Sequence, residues 1–368
     1  MNVVHFCNNY VGTKIHLNQV KSLSEMGHIQ DVFIPVYSKE HCSINNEPVD
    51  NVSLHYKFIS NKYIKYFPLL KVLLFMMSFF VLRNRVKNSD VIYAHTLWSN
   101  GIAAYLFSVI YSKPLIISIR SADYFVFLPK LPHYRWLIKL ALKRASDVIF
   151  ISPSYRDKVM ESYPNIFVGI DRISVVPNGI DDFWLSRCEL PIVSNKNNVI
   201  SFVGRLNSTK RPELVVKAVD YARRYQNSPE LTLNFYGCDT EGLLEYLGWK
   251  LLPDWINVKG KVAKESIFEE LRLSRYMVVP SYQETFGLVY LEALSCGCSI
   301  ILSKGEGISG FFPNHKNIIE LESFTDTNLG EILAKELEFD FERSQIPMTF
   351  SWGEYAKKVN MIFKNCIS

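Results

Sequence analysis

Residues 275–303, RYMVVPSYQETFGLVYLEALSCGCSIILS, place two short apolar runs either side of one stretch of helical periodicity, and few folds accept that order. The run 276–280 is too short for a helix and reads as a buried strand. Residues 281–285 are polar and turn-like. From Phe286 onward Leu288, Leu291, Leu294 and Ser295 recur at helical spacing, and Gly297 suits the position just past a helix end. Residues 299–302 are the next strand. A strand–loop–helix–strand unit of this kind belongs to an open parallel sheet, where ligands collect at the carboxyl ends of the strands.

The same alternation runs through the chain. Strand-like runs at 2–7, 31–36, 90–95, 114–120 and 147–152 are separated by helical stretches, and a second series follows at 199–204, 231–236 and 256–259. Alternating strands and helices argue for an α/β fold with parallel sheets covered on both faces. A chain of 368 residues has the length for two such domains. The polar segment 186–198 is the expected linker, giving a first domain over 1–185 and a second over 186–348. Seven scattered cysteines with no C-x-x-C pair indicate neither a disulfide framework nor a zinc site, and fit a reducing cytosol. The N-terminus has no basic stretch leading into a long apolar run, so no signal peptide is expected. The first loop carries one glycine, Gly12, where a dinucleotide fingerprint needs three. Gly12 either admits a ligand close to the backbone or is an ordinary turn glycine.

Two carboxylates mark the 275–303 unit. Glu284 lies in the loop and Glu292 about two turns into the helix, so at ~1.5 Å per residue they stand roughly 10 Å apart. That separation is too large to share a proton and suits gripping two ends of an elongated ligand. Between them Thr285, Phe286, Gly287 and Leu288 form the helix start, whose N–H groups favour a phosphate. Further upstream, Gly204 is followed by Arg205 and Lys210, which bracket a loop at a strand's carboxyl end. Fixed cations there stabilise the charge that develops on a departing diphosphate. Arg211, beside them, reads as a solvated loop cation.

The string E-T-F-G-L-V-Y-L-E-A-L-S-C-G at 284–297 resembles the E-x7-E signature of retaining GT-B glycosyltransferases of family 4. G-R-x4-K at 204–210 resembles that family's diphosphate-binding loop, and S-V-V-P-N-G-I-D at 174–181 its last strand and turn before the linker. The resemblance implies two doubly wound, Rossmann-like domains facing a cleft, with a C-terminal helix over 349–368 crossing back onto the first. It implies retaining transfer of a hexosyl or N-acetylhexosaminyl unit from a UDP- or GDP-sugar to a glycan acceptor. Glu284 then lies by the donor sugar and Glu292 by the ribose. Arg205, Lys210 and the helix start take the leaving charge, so neither metal nor other cofactor is expected, and no Asp-x-Asp pair occurs in the sequence. Where relatives often carry His-Gly, this chain has Arg120-Ser121-Ala122-Asp123. Arg120 and Asp123 are therefore the expected acceptor-pocket residues, with His95 and Trp98 at its border. Residues 303–310, SKGEGISG, resemble a loop closing over the donor. An epimerase of the same fold and a non-catalytic nucleotide-sugar-binding subunit are the rival readings.

Charge locates the partners. Residues 1–184 hold 20 Lys+Arg against 13 Asp+Glu, and residues 185–368 hold 21 against 23, so the basic half faces an anionic partner. No nucleic-acid motif accompanies this charge, and nucleic acid is not expected. Residues 51–89 contain seven Lys/Arg and no acid, surrounding the apolar run VLLFMMSFFVL at 72–82. The run is too short to span a bilayer. It is either a buried crossover helix or a surface lying in the head-group layer. Residues 130–144, KLPHYRWLIKLALKR, are again basic without an acid. The head-group reading implies peripheral contact with an anionic membrane at its cytoplasmic face and suits a polyprenyl-diphosphate-linked acceptor in cell-surface polysaccharide synthesis of the O-antigen or capsule type, whereas a soluble acceptor leaves both stretches as plain crossover helices.

Overall fold

A computed structural model describes residues 1–59, 67–193, 196–335 and 346–367. The chain divides into two compact units. The first comprises Met1–Ile151, Arg156–Gly179 and Trp352–Ser368. It is built on the parallel strands β1 (Asn2–Phe6), β2 (Ile29–Val36), β3 (Val52–Phe58), β4 (Val91–Ala94), β5 (Leu115–Ser118), β6 (Asp147–Phe150) and β7 (Ile173–Val175), in the order β3-β2-β1-β4-β5-β6-β7. Every residue of β4, β5 and β6 is buried, which is why these strands read as continuous apolar runs rather than alternating ones.

The apolar run at 72–82 lies mostly in the helix Pro68–Phe80, opened by a proline in its first turn. It has two apolar faces. Val72, Phe75 and Phe79 point into the core, where Phe79 meets the rings of Phe6 and Phe33 at 5.0 and 5.1 Å. Leu69, Leu70, Leu73, Met77 and Phe80 are exposed. The helix packs on Ser99–Tyr111, which packs in turn on Arg135–Arg144. Lys62 and Lys65 of the basic stretch lie outside the described residues.

The C-terminal helix Trp352–Ile367 belongs to the first unit. Its Tyr355, Val359 and Phe363 share one core with Val3, Leu23, Tyr93 and Ile149, and it packs on the helix Ile15–Glu25. Asn178-Gly179 looks like a tight turn in the sequence, yet Gly179 has no left-handed φ. What it supplies is room: a Cβ there would lie 2.5 Å from Trp352 Cδ2 and 2.7 Å from the Trp352 backbone N.

The second unit comprises Ser152–Tyr155 and Ile180–Ser351. Its parallel strands are β8 (Asn197–Val203), β9 (Thr232–Tyr236), β10 (Ile256–Gly260), β11 (Ser274–Val279), β12 (Ser299–Ser303) and β13 (Ile318–Leu321), ordered β10-β9-β8-β11-β12-β13. The unit begins at Ile180, ahead of the polar segment in which the sequence places the linker, because residues 180–185 are tied inside it. Ile180 N–H donates to the Phe350 carbonyl at 2.8 Å, Asp181 pairs with Lys264, and the Trp184 ring packs on Phe268. The helix expected from Phe286 starts instead at Leu288, since Gly287 takes φ +73° outside the helical region.

Gly179→Ala should force Trp352 and its helix to shift, costing about 1–3 kcal/mol. A lower urea midpoint for the first unit, with the second unit's transition unmoved, is the expected result.

Candidate active site

In the second sheet the chain leaves β8 and β11, its two central neighbours, toward opposite halves of the sheet, and this is the point where open parallel sheets bind ligands. The loop after β8 carries Gly204, Arg205 and Lys210; the loop after β11 carries residues 280–287. They are stitched together. Tyr282 N–H donates to the Thr209 carbonyl at 2.6 Å, and Arg211 Nε donates to the Pro280 carbonyl at 2.7 Å. Arg211 also reaches Ser303 Oγ at 3.1 Å. It is thus a structural pin, not the solvated cation its sequence setting suggests.

That stitching brings together two residues 74 positions apart. Lys210 Nζ lies 2.5 Å from Glu284 Oε2 and 3.3 Å from Ser281 Oγ, with both charged side chains about one-fifth exposed. The backbone under Glu284 is fixed on both sides. Its N–H donates to Glu306 Oε2 at 2.8 Å, and its carbonyl accepts from Gly307 N–H at 2.9 Å. Glu284 Oε1 in turn accepts from the amides of Thr285 and Phe286, at 3.1 and 3.3 Å. Two of the four amides expected to receive a phosphate are therefore already committed to a carboxylate.

Glycine makes this packing possible. A Cβ on Gly287 would meet Tyr290 Cε2 at 2.5 Å, and one on Gly307, at φ +60°, would meet the Phe286 carbonyl oxygen at 3.0 Å and Glu284 Cγ at 3.2 Å. The hydroxyl of Ser152 donates to the Thr285 carbonyl at 2.8 Å and that of Ser154 to the Gly307 carbonyl at 3.1 Å, holding both loops from outside. Arg205 lines a neighbouring cavity of about 500 Å3 with Gly237, Asp239, Gly260 and Lys261, at the ends of β8, β9 and β10. Gly204 and Gly237 approach closely there, leaving no space for a side chain on the latter.

In the first unit, the residues expected to touch an acceptor turn inward. His95 is 1% exposed, with Nε2 2.9 Å from His5 Nδ1. Asp123 is fully buried. Its Oδ1 accepts from the amides of Leu97 and Trp98 at 3.0 and 3.3 Å, and its Oδ2 from the Arg120 amide at 2.9 Å. It ties the loops after β4 and β5 together, and burial raises its carboxyl to about 6. Arg120 reaches Asn178 Oδ1 at 3.2 Å. The space beside Gly12 belongs to Asn9, whose Oδ1 lies 2.4 Å from where a Cβ would stand.

The family model for glycosyl transferases group 1 matches residues 190–359, and that for glycosyltransferase family 4 matches residues 16–182. The chain belongs to glycosyltransferase family 4. A curated relative, the α-maltose-1-phosphate synthase of Mycolicibacterium smegmatis, is 28% identical over 61% of this chain and 62% of that one. The D-inositol 3-phosphate glycosyltransferase of Stackebrandtia nassauensis is 27% identical over 67% of this chain and 60% of that one. The matches thus span about three-fifths of each relative. Among solved structures, the lipopolysaccharide outer core galactosyltransferase WaaB shares 99% of each chain at a TM-score of 0.67 and 16% identity. Two parallel-sheet α/β domains and this likeness give the glycosyltransferase the GT-B fold.

Several site residues of this glycosyltransferase escape sequence reasoning. Glu306 was visible only as one acid in a glycine-rich string, and Ser152 and Ser154 come from a distant strand end. Glu292 was foreseen as a second acid but not as a neutral one. Burial raises its carboxyl from 4.5 to about 7, with Lys264 opposing and Asp181 adding to the shift. Between those values the folded protein keeps a proton that the unfolded chain has released, so stability falls as pH rises through the window. Glu292→Gln should flatten this slope, which amounts to roughly 3 kcal/mol. Urea unfolding on either side of pH 4.5–7 tests it; a slope retained in the variant would exclude Glu292 as its source.

Proposed function

We infer that the protein transfers a glycosyl unit from a nucleoside-diphosphate sugar to an anionic saccharide acceptor, retaining the anomeric configuration and using no metal. The Lys210–Glu284 pair at the ends of β8 and β11 carries this reading. Before donor binds, Glu284 satisfies the Lys210 ammonium. A diphosphate entering beside it competes for that cation, and as the glycosyl bond lengthens, the charge on the leaving phosphate is met by Lys210 and Arg205. Glu284, released on one side and fixed through its backbone by Glu306 and Gly307, stays beside the sugar. Glu292 accepts from the ribose hydroxyls. The two relatives named for phosphate-bearing molecules support an anionic acceptor.

A lipid-diphosphate carrier for that acceptor is the finer reading, and its support is a helical layer. Pro68–Phe80, Ser99–Tyr111 and Arg135–Arg144 pack side by side and contain no Asp or Glu. Leu69, Leu73, Met77 and Phe80 on the first, Val109 and Ile110 on the second, and Trp136 and Leu140 on the third are exposed. A helix apolar all round is normally covered on every side. Lysines and arginines without compensating acids suit an anionic lipid surface as that cover. Among the described residues no helix is long and apolar enough to cross a membrane, so the contact is peripheral.

A UDP- or GDP-sugar present at 100 times its dissociation constant should stabilise the protein by about 2.7 kcal/mol. Arg205→Ala should weaken that shift, and Glu284→Gln should abolish turnover while leaving it. Absence of any shift across both nucleotide classes would remove the donor reading. For the membrane, the protein should float with anionic vesicles and not with zwitterionic ones, and Leu73→Asp with Met77→Asp should release it. Equal binding to both vesicle types would sink the lipid-surface assignment.

A further inference from the structure

At the carboxyl ends of β1 and β4 the first unit holds a group that glycosyl transfer leaves unused. Cys7 follows β1, His95 follows β4, and His16 stands on the helix Ile15–Glu25. All three are buried, and one ligating atom from each lies within 4.8 Å of those of the others.

The proton of His16 is fixed by a glutamine. Gln19 Nε2 donates to Asn178 Oδ1 at 3.2 Å, so its amide oxygen is the atom turned to His16, 3.0 Å from Nδ1. An amide oxygen only accepts, which puts the His16 proton on Nδ1 and leaves Nε2 a bare lone pair. Gln30 Nε2 donates to the Val20 carbonyl at 2.9 Å, while its oxygen and His5 Nε2 are buried without a hydrogen-bond partner. His5 Nδ1 and His95 Nε2 lie 2.9 Å apart, so one of the two donates to the other. The remaining nitrogen of His95, Nδ1, is buried and without a partner. One imidazole lone pair and one unpartnered ring nitrogen thus share this buried cluster with a single thiol. A buried polar atom left over in this way asks for an occupant. An outer residue that sets the tautomer of a histidine, as Gln19 does, is the usual support of a metal ligand.

The charge of the surroundings selects the ion. The Arg120 guanidinium acts on Cys7, His16 and His95 alike. A divalent ion with one thiolate would leave a net positive charge beside that guanidinium in a dry interior, whereas a monovalent ion leaves none. Thiolate and imidazole together favour soft cations. We propose that Cys7, His16 and His95 form a buried three-coordinate site for Cu+, joining β1, β4 and the helix Ile15–Glu25. On binding, the Cys7 S–H bond is replaced by S–Cu and the proton leaves to solvent; no electron is transferred. A triangle with sides of 4.8 Å has its centre about 2.8 Å from each corner. Thiolate and imidazole bonds of ~2.0–2.3 Å ask each group to move inward by roughly 0.5–0.8 Å. The cation is a clasp, not a participant in transfer, so this assignment stands apart from the donor reading.

The test is anaerobic titration of the full-length, reduced protein with Cu+ held by a chromogenic chelator. One equivalent should leave the chelator, one proton should be released per ion, and the thermal midpoint should rise. Cys7→Ser and His16→Asn should weaken uptake by about 100-fold or more, and Gln19→Leu by ~10–100-fold. Cys238→Ser, which alters a partly exposed thiol elsewhere, should behave as wild type. Failure of the wild type to take up Cu+, uptake by Cys7→Ser equal to wild type, or a preference for Zn2+ would each overturn the proposal. Should Cys7→Ser not fold, the wild-type proton count and Gln19→Leu decide the matter.

Discussion

A parallel strand covered on both faces has nowhere to keep polar side chains except its ends. That constraint governs both units. The strands β4, β5, β6, β11 and β12 are buried along their whole length, and the groups able to do chemistry begin where they stop. Both sheets also reverse direction at one place, between β1 and β4 in the first and between β8 and β11 in the second. Lys210 and Glu284 occupy the two sides of the second crevice. Cys7 and His95 occupy the two sides of the first. The same topology thus gathers a charged pair in one unit and a soft ligand set in the other, and the difference lies in burial. Lys210 and Glu284 stay about one-fifth exposed and pair with each other. Full burial keeps the histidines neutral, with His5 and His16 lowered to about 3.

The α/β class, the parallel sheets and the positions of most strands were legible in the sequence because buried strands announce themselves as short apolar runs between helical stretches. The glutamates and the two cations were legible because they lie in one local string each. What joins them was not. Lys210 meets Glu284 across 74 residues, and Glu306 reaches the Glu284 amide from the far side of β12. Nothing in the spacing of a sequence encodes a contact between loops at two strand ends. Asp123 shows the opposite failure. A polar residue at a strand end looked available for an acceptor, but its carboxylate is consumed by three backbone amides. A short acid next to a sharp loop is as easily a fastener as a binding group.

The helix Pro68–Phe80 was ambiguous for a sound reason. The sequence could not choose between a buried helix and a surface one, and the structure makes it both: Phe75 and Phe79 enter the core while Leu73 and Met77 stand outside. A pattern search expects one apolar stripe on a helix, and two opposed stripes blur into an unbroken run.

The C-terminal helix has a consequence for synthesis. Trp352–Ile367 supplies part of the core that also holds the first strand, while Ile180–Ser351 between them forms a unit whose two ends are already joined by the Ile180–Phe350 hydrogen bond. Apart from Ser152–Tyr155, the second unit is therefore a closed insertion in the first. On the ribosome the later-encoded body can be complete while the earlier one still exposes the face that Tyr355, Val359 and Phe363 will cover. The N-terminal unit, first to emerge, is the last to finish.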